Sequence, residues 1–468
     1  MHGRVPAWPM WVIALVFMID NVDQNIVRGM VPQLQAHFHV GFFAIGVLMS
    51  AFVVVNGLVT LPAGYLADRW HRARSLGTTV ALWSIVSALG GAMPTFGALV
   101  ASRGLLGFGQ AVTDPSSSSL LGDYYELERR GRAFAVQQCL TFVGIGLGLA
   151  LGGSIAPRYG WRAGFVVSSV PGLVIAAMAF RLVEPRRGAA DRASAGVVDG
   201  IEMAAPGHER VFRGSAKAFA WDMWRGLRAD LATILAIPTL RYALVGVSAL
   251  LFTVTAVGSW MPEFYERQLH LGQGDATAAF GALVVLGGVP GVLFGGRLAD
   301  RWARRVRGAR VAIPGYCLLT TCTLFMVSYL PMPFWAVFPI QLVAFFTATL
   351  AIPALRAGLT DAVPANLRGA GFGAFNLASV LFGTAAAPVA TSFVAEKMGG
   401  NFRSAFLIVT PVAYVGAFLL LAARDHLERD TAAIFTKVME ALAADQALAA
   451  DAPPVQPAPD VDTDRHGS

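Results

Sequence analysis

Charged side chains are scarce in this sequence. Asp, Glu, Lys and Arg make up 14% of its 468 residues and hydrophobic residues 55%, whereas a soluble domain carries about 25% charge. That shortage excludes an ordinary soluble fold. Cysteine is scarcer still, and Cys139, Cys317 and Cys322 all lie in apolar runs with no disulfide or zinc-ligand spacing. Histidine is thin and scattered, with His2, His37, His39 and His71 among the eight. No nucleophile–base pair or metal-ligand spacing emerges, so the residues point away from an enzyme, a metal site or a bound cofactor. Lysine is nearly absent, and the net charge of +7 comes from Arg. These arginines sit in short loops between apolar runs, which is the positive-inside pattern and not a nucleic-acid patch. A small-residue cleavage site after the first apolar run is also missing, so the first helix is read as retained.

What is present is a series of apolar runs near the ~20 residues that cross a bilayer. They fall at about 8–32, 42–66, 75–93, 96–122, 132–156 and 162–182, and resume at about 239–263, 276–298, 309–330, 333–356, 370–394 and 402–422. The expected fold is an all-α membrane protein of twelve transmembrane helices in two six-helix, pseudo-symmetric bundles. The domains are residues 1–188 and 237–424, a cytoplasmic linker at 189–236, and a tail at 425–468. The linker holds one amphipathic stretch near Ala216–Ala229. The tail holds another with Ile434, Phe435, Val438, Met439 and Leu442 at helical spacing, followed by a Pro- and Asp-rich disordered end. Arg is concentrated in one set of loops, including Arg69–Arg74, Glu128–Arg132, Arg186–Arg187 and Arg301–Arg307, which places both termini in the cytoplasm. The Arg-rich, Lys-poor usage fixes no organism; the expected location is a bacterial inner membrane. Trp260, Trp335, Tyr265 and Tyr329 fall at expected outer ends and read as an aromatic belt.

The chain repeats itself. Gly64-Tyr-Leu-Ala-Asp68-Arg69-Trp recurs as Gly296-Arg-Leu-Ala-Asp300-Arg301-Trp, each copy closing the second helix of its half. Parallel halves of this sort are a transporter architecture with the substrate site between them. Gly64 and Gly296 are expected to permit close helix approach. Asp68 and Asp300 suit a neighbouring helix N-terminus. Arg69, Arg72 and Arg301 follow as a cytoplasmic gate, with Asp123 as acid partner for the first copy; such pairs would hold the cytoplasmic side shut.

The organising stretch is Asp20 to Pro32. It continues an apolar run, Trp8–Ile19, that is too short to span alone, so Asp20, Asp23 and Arg28 belong inside the membrane. A charge facing lipid there costs several kcal/mol, so these residues face a partner or water. In the fourth run Arg103, Gly107, Gln110 and Asp114 share one helical face. Depth counting makes Asp23 and Arg103 partners that could load and release a proton, with Asp20, Arg28, Gln24, Gln110 and Asp114 on the same wall. No ionisable residue occupies a span interior of the second half; Arg241, Glu263, Arg297 and Arg356 lie at ends. Its polar candidates are Gln341, Thr347, Asn376 and Ser379. A cavity polar on one wall and apolar on the other suits an amphiphile, since a sugar would need hydrogen bonds from both.

Twelve spans in a 6+6 split and the duplicated Gly-x-x-x-Asp-Arg loop resemble the major facilitator superfamily over roughly residues 8–424. Within it the chain resembles the spinster family of lysolipid and sphingosine-phosphate transporters. Asp23, Gly29 and Pro32 match its first helix, and Arg103, Gly104, Leu105, Gly107, Gly109 and Ala111 its fourth; Arg368, Gly369, Gly383 and Pro388 are similar to its eleventh. The resemblance implies alternating access and movement of a lysophospholipid-like amphiphile, with the bilayer and protons as partners, no nucleic acid, and a monomer. Two positions depart from the family: its first-helix Arg is Gln24 here, and its fourth-helix proton-binding Glu is Gln110. Gln cannot titrate, so Asp114 or Asp20 would have to substitute, or the protein works as a uniporter. The rival readings are a proton-driven multidrug or organic-anion exporter, for which Gly144, Gly146, Gly148, Gly152 and Gly153 offer a loose glycine motif, and a non-transporting membrane sensor.

Overall fold

The computed structural model describes residues 7–67, 71–185, 235–303, 309–362, 375–424 and 426, with isolated positions at 221, 224, 225, 228 and 232. Among these residues the chain is all helix. The elements are α1 (Trp8–Gly29), α2 (Val31–Phe38), α3 (Phe42–Ala67), α4 (Arg72–Gly90), α5 (Phe96–Tyr124), α6 (Leu127–Tyr159) and α7 (Trp161–Ala179). They resume as α8 (Pro238–Gln268), α9 (Gln273–Ala303), α10 (Ala309–Ser328) and α11 (Phe334–Ala362). The last two are α12 (Phe375–Lys397) and α13 (Phe402–Arg424). Nine of the described helices are long and apolar enough to cross a membrane. α4 and α5 are not among them because polar residues dilute them: Arg72, Arg74 and several Ser and Thr in α4, and Arg103, Gln110, Asp114 and a run of four serines in α5.

Local chemistry sets the boundaries. The first apolar run, expected as a single helix to residue 32, stops at Gly29, and Pro32 sits in the first turn of the separate α2. Proline has no N–H to continue a helix but fits the start of one. Thr95 caps α5 by accepting from the Ala98 N–H at 3.2 Å, and Asn401 caps α13 by accepting from Ser404 at 3.1 Å. Six residues of α12, Val380–Ala385, form a π turn. The linker stretch near Ala216–Ala229 lies largely outside the described residues, and the tail helix wholly so.

Helices α1 to α7 pack on one another, as do α8 to α13; the two groups meet chiefly along α6 with α9 and along α3 with α12. Glycine makes the first of these seams close. A Cβ on Gly146 would come within 2.9 Å of the Gly281 carbonyl oxygen, and one on Gly281 within 2.7 Å of that of Gly146. On its other flank α6 turns Gly144, Gly148 and Gly152 toward α1, where added Cβ atoms would meet the backbone of Met18, Val22 and Ile26. The glycines of α6 therefore serve packing on two sides.

Two expectations fail here. A Cβ on Gly296 would meet nothing within 4 Å among the described residues, so Gly296 is not a close-approach glycine. Its neighbour Gly295 is, lying against the Leu350 backbone of α11. The aromatic belt is also wrong for three of its four members. Trp260, Tyr265 and Tyr329 are fully buried, and only Trp335, 77% exposed, suits a membrane interface.

Those buried rings form a plug at the end of the molecule that carries α2. Trp260 stacks on Phe402 with centroids 5.2 Å apart, and Phe42 of α3 stands edge-on to both. The Arg267 guanidinium lies 4.7 Å above the Phe42 ring and pairs with Glu263 at 3.1 Å. Gln33 and Gln273 exchange amide hydrogen bonds, and Gln273 also donates to the Gly29 carbonyl at 2.8 Å. Phe42 on one side and the Gln33, Gly29 and Gln273 bonds on the other tie the first group to the second at this end. Glu263, five residues from the end of α8, is buried beside the plug.

Candidate functional site

Asp23 and Arg103 meet as an ion pair of 3.1 Å between α1 and α5, with 7% and 4% of their surface exposed. Such a pair needs further hydrogen bonds to survive burial. Asp23 receives them from two serines that the sequence gave no reason to single out, Ser87 of α4 and Ser168 of α7, the latter at 3.0 Å. Arg103 also donates to the Ser87 hydroxyl at 3.3 Å, and its guanidinium sits 4.5 Å above the Phe165 ring. Four helices thus converge on one carboxylate.

Asp20 lies one turn earlier on α1 and is held differently. Its carboxylate accepts from the Gln24 amide at 2.8 Å and from the Gln110 amide of α5, both neutral donors. Asp114 follows Gln110 by one turn of α5, solvent-exposed and near enough to act electrostatically on Asp20. Arg28 stands one turn beyond Gln24. Its guanidinium donates to Asn25 Oδ1 at 2.8 Å and reaches the Gly258 carbonyl of α8 at 3.5 Å. Among the described residues no carboxylate pairs with it.

Asp23, Gln24, Arg28 and Arg103 line one cavity of about 40 Å³ together with the apolar Val27, Leu48, Met49, Phe52, Val53 and Leu106. That volume admits water but no larger solute. Of the second-half candidates, Gln341 does not face a cavity. It is fully buried, bonded to the Tyr265 hydroxyl and donating to Ser328 at 3.1 Å. Thr347 hydrogen-bonds Thr321 at 2.9 Å. Asn376 is exposed, and Ser379 is buried with no partner for its hydroxyl among the described residues.

The repeated loops are partly visible. Asp68 and Arg69 lie outside the described residues, as do the side chains of Gly64 and Asp300; Arg301 is exposed. Arg72, 1% exposed, pairs with Asp123 and, at 2.7 Å, with Glu184, and donates to Ser119 and the Pro185 carbonyl. The expected partner Asp123 is among them, and all of them belong to the first group. The cluster ties α4 and α5 to the segment after α7. Burial opposes the charge on Glu184, but the Ala73 N–H and the Arg72 guanidinium outweigh it and hold its carboxyl below the usual range. A depressed carboxyl contributes stability that is present at neutral pH and lost as pH falls through its folded value. Thermal unfolding followed by tryptophan fluorescence should therefore show the Arg72→Ala variant destabilised by about 3 kcal/mol at neutral pH. The gap should close only below about pH 4, where the carboxylates protonate. A constant gap down to pH 3 would refute the pairing.

Residues 13–383 match the profile of the Major Facilitator Superfamily. The chain belongs to that superfamily. Within it the relatives are of the spinster type: human protein spinster homolog 3 is 27% identical over 336 residues, covering 68% of this chain and 61% of the relative. Protein spinster of Drosophila melanogaster is 24% identical over 330 residues, covering 69% and 50%. The chain thus spans between half and about three-fifths of the length of these curated relatives. In fold it is similar to a bacterial homolog of the human lysosomal transporter spinster in an inward-facing, unoccupied conformation. The TM-score is 0.69 at 17% identity over 93% of this chain and 99% of that one. A nucleoside transporter superposes with a TM-score of 0.64 at 13% identity, over 89% and 99%. The chain is thus a helical membrane protein of the facilitator superfamily with spinster-like sequence.

Proposed function

We propose that the protein is a secondary transporter that moves an anionic, lysophospholipid-like amphiphile by alternating access. Two six-helix bundles, residues 1–188 and 237–424, rock about a site between them, with the Arg-rich loops and both termini in the cytoplasm. The observation that carries this reading is Arg28: a cation on the cavity wall, with no carboxylate partner among the described residues and apolar neighbours around it. An uncompensated guanidinium in such a place attracts an anionic headgroup, and its planar fork suits a phosphate. The apolar lining would meet a chain once alternating access widens the cavity.

Asp20 is the better proton carrier of the two buried acids. Its donors are amides, so taking a proton leaves no cation unpaired, whereas protonating Asp23 orphans Arg103. Asp23 and Arg103 would then position α1 against α5 and respond to the proton nearby. This arrangement restores coupling despite the replacement of the family's titratable residue by Gln110.

The test is uptake of a labelled lysophosphatidylglycerol into proteoliposomes, with and without an imposed pH gradient. Uptake that follows the gradient in the native protein, and ignores it in Asp20→Asn, supports proton-coupled lipid transport. Gradient-independent uptake keeps the substrate and makes the protein a facilitator. Absence of uptake by folded protein, with competition among unrelated organic ions for a second substrate, would replace this reading by the exporter.

A further inference from the structure

A second concavity is far larger than the charged site. It is a groove of about 950 Å³ on the opposite faces of α3 and α5, closed on its third side by α12. Its lining is apolar almost throughout, from Val47, Val54 and Leu105 to Val389 and Phe393, and the aromatic rings of Phe43, Phe108 and Phe393 stand at its rim about half exposed. Arg103 and Leu106 point the other way on α5, into the cavity already described. The groove therefore opens toward the surroundings of the bundle. Its floor is the seam between the two helix groups, where the Ser50 hydroxyl donates to the Ala385 carbonyl at 2.7 Å. The π turn of α12 places Leu381 and Ala385 in its wall.

Length and charge say what fills it. Along α3 the groove runs from Phe43 to Val55, about 18 Å at 1.5 Å per residue, close to half of the ~30 Å bilayer core. It starts at the α2 end of the molecule and stops near mid-depth, so it accommodates acyl chain from a single leaflet. Apolar walls alone give no preference, because neighbouring lipid tails are equally apolar. At the mouth, however, stands Lys397, the last residue of α12 and one of only three lysines in the chain, with its ammonium 5.8 Å from the Phe393 ring centroid. The neighbouring Glu396 is engaged in accepting from the Phe43 N–H at 2.8 Å.

We propose that this groove is a binding site for an anionic diacyl phospholipid of the bilayer, its chain between α3, α5 and α12 and its phosphate at Lys397. The site is separate from the transport pathway and does not depend on the substrate proposed above. Because its walls come from both helix groups, the bound lipid bridges the closed seam.

The full-length protein would be reconstituted into nanodiscs of phosphatidylcholine with one-tenth phosphatidylglycerol, re-extracted, and its retained phospholipid quantified by mass spectrometry. A surface lysine is worth about fivefold in favour of an anionic lipid, so phosphatidylglycerol should be enriched by about that factor over the supplied mixture. Lys397→Gln, a change at an exposed position, should remove the enrichment while leaving folding intact. Ala386→Trp, which fills the groove, should remove retained lipid altogether. No enrichment in the native protein, or enrichment unchanged in Lys397→Gln, overturns the proposal. So does an Ala386→Trp protein that keeps its phosphatidylglycerol yet loses uptake of lysophospholipid, since the groove would then be a substrate route.

Discussion

Replacing Asp23 by Asn is expected to reduce lysophospholipid uptake to background. The carboxylate is the only anion bonded to the buried Arg103 guanidinium among the described residues, and it also collects the hydroxyls of Ser87 and Ser168. An Asn amide can keep the serine bonds through its oxygen, but its NH₂ confronts a guanidinium that only donates. Breaking a buried pair on one side costs about 3–5 kcal/mol, so the variant should also melt at a lower temperature. Stability and function are separated by the double variant Asp23→Asn/Arg103→Gln, which removes both charges. Its melting temperature should return toward the native value while uptake stays at background. Native-like uptake by Asp23→Asn would remove the carboxylate from the mechanism.

Arg28→Gln should behave in the opposite way, with a stable protein and a weakened substrate. No ion pair is broken in the protein, so the melting temperature should hold. A hydrogen bond to a charged group contributes about 1.5–3 kcal/mol, so the KM for an anionic lysolipid should rise roughly 10- to 100-fold with little change in maximal rate. Arg28→Lys keeps the charge but not the fork, and should fall between the two. A zwitterionic or neutral amphiphile should be less sensitive than an anionic one. An unchanged KM for the anionic substrate would exclude Arg28 from headgroup recognition.

The ion pair between Asp23 and Arg103 was legible because two kinds of counting agree on it. The 3.6-residue period places Arg103 on one face of its helix, and the lengths of the apolar runs place it at the depth of Asp23. Ser87 and Ser168 were not legible, since a lone serine in an apolar helix gives the same signal whether it bonds its own backbone or a distant carboxylate. Gln341 shows the complementary limit. Periodicity says which residues share a face of one helix but not how that helix is turned in its bundle, and Tyr265 and Ser328 take up the amide within the second group. Similar reasoning covers Trp260 and Tyr329, where an aromatic near the end of an apolar run fits a membrane interface or a plug equally well. The duplicated loop revealed the internal repeat and pointed to Asp123 as an arginine partner, which Arg72 takes; Glu184 was not legible because its place beside Arg72 depends on tertiary contacts within one half.

The two-sided glycine surface of α6 carries a mechanical consequence. Toward α1 it seats backbone on backbone, so α6 and α1 move as one lever, and the charged cluster on α1 travels with it. Toward α9 the backbones meet at the Gly146–Gly281 crossing, but side chains interlock on either side of it: Thr277 of α9 seats on Gly153, and Phe142 of α6 seats on Gly288. The seam therefore resists sliding, and a change of conformation has to lift these side chains from their glycine seats as well as part the aromatic plug at the α2 end.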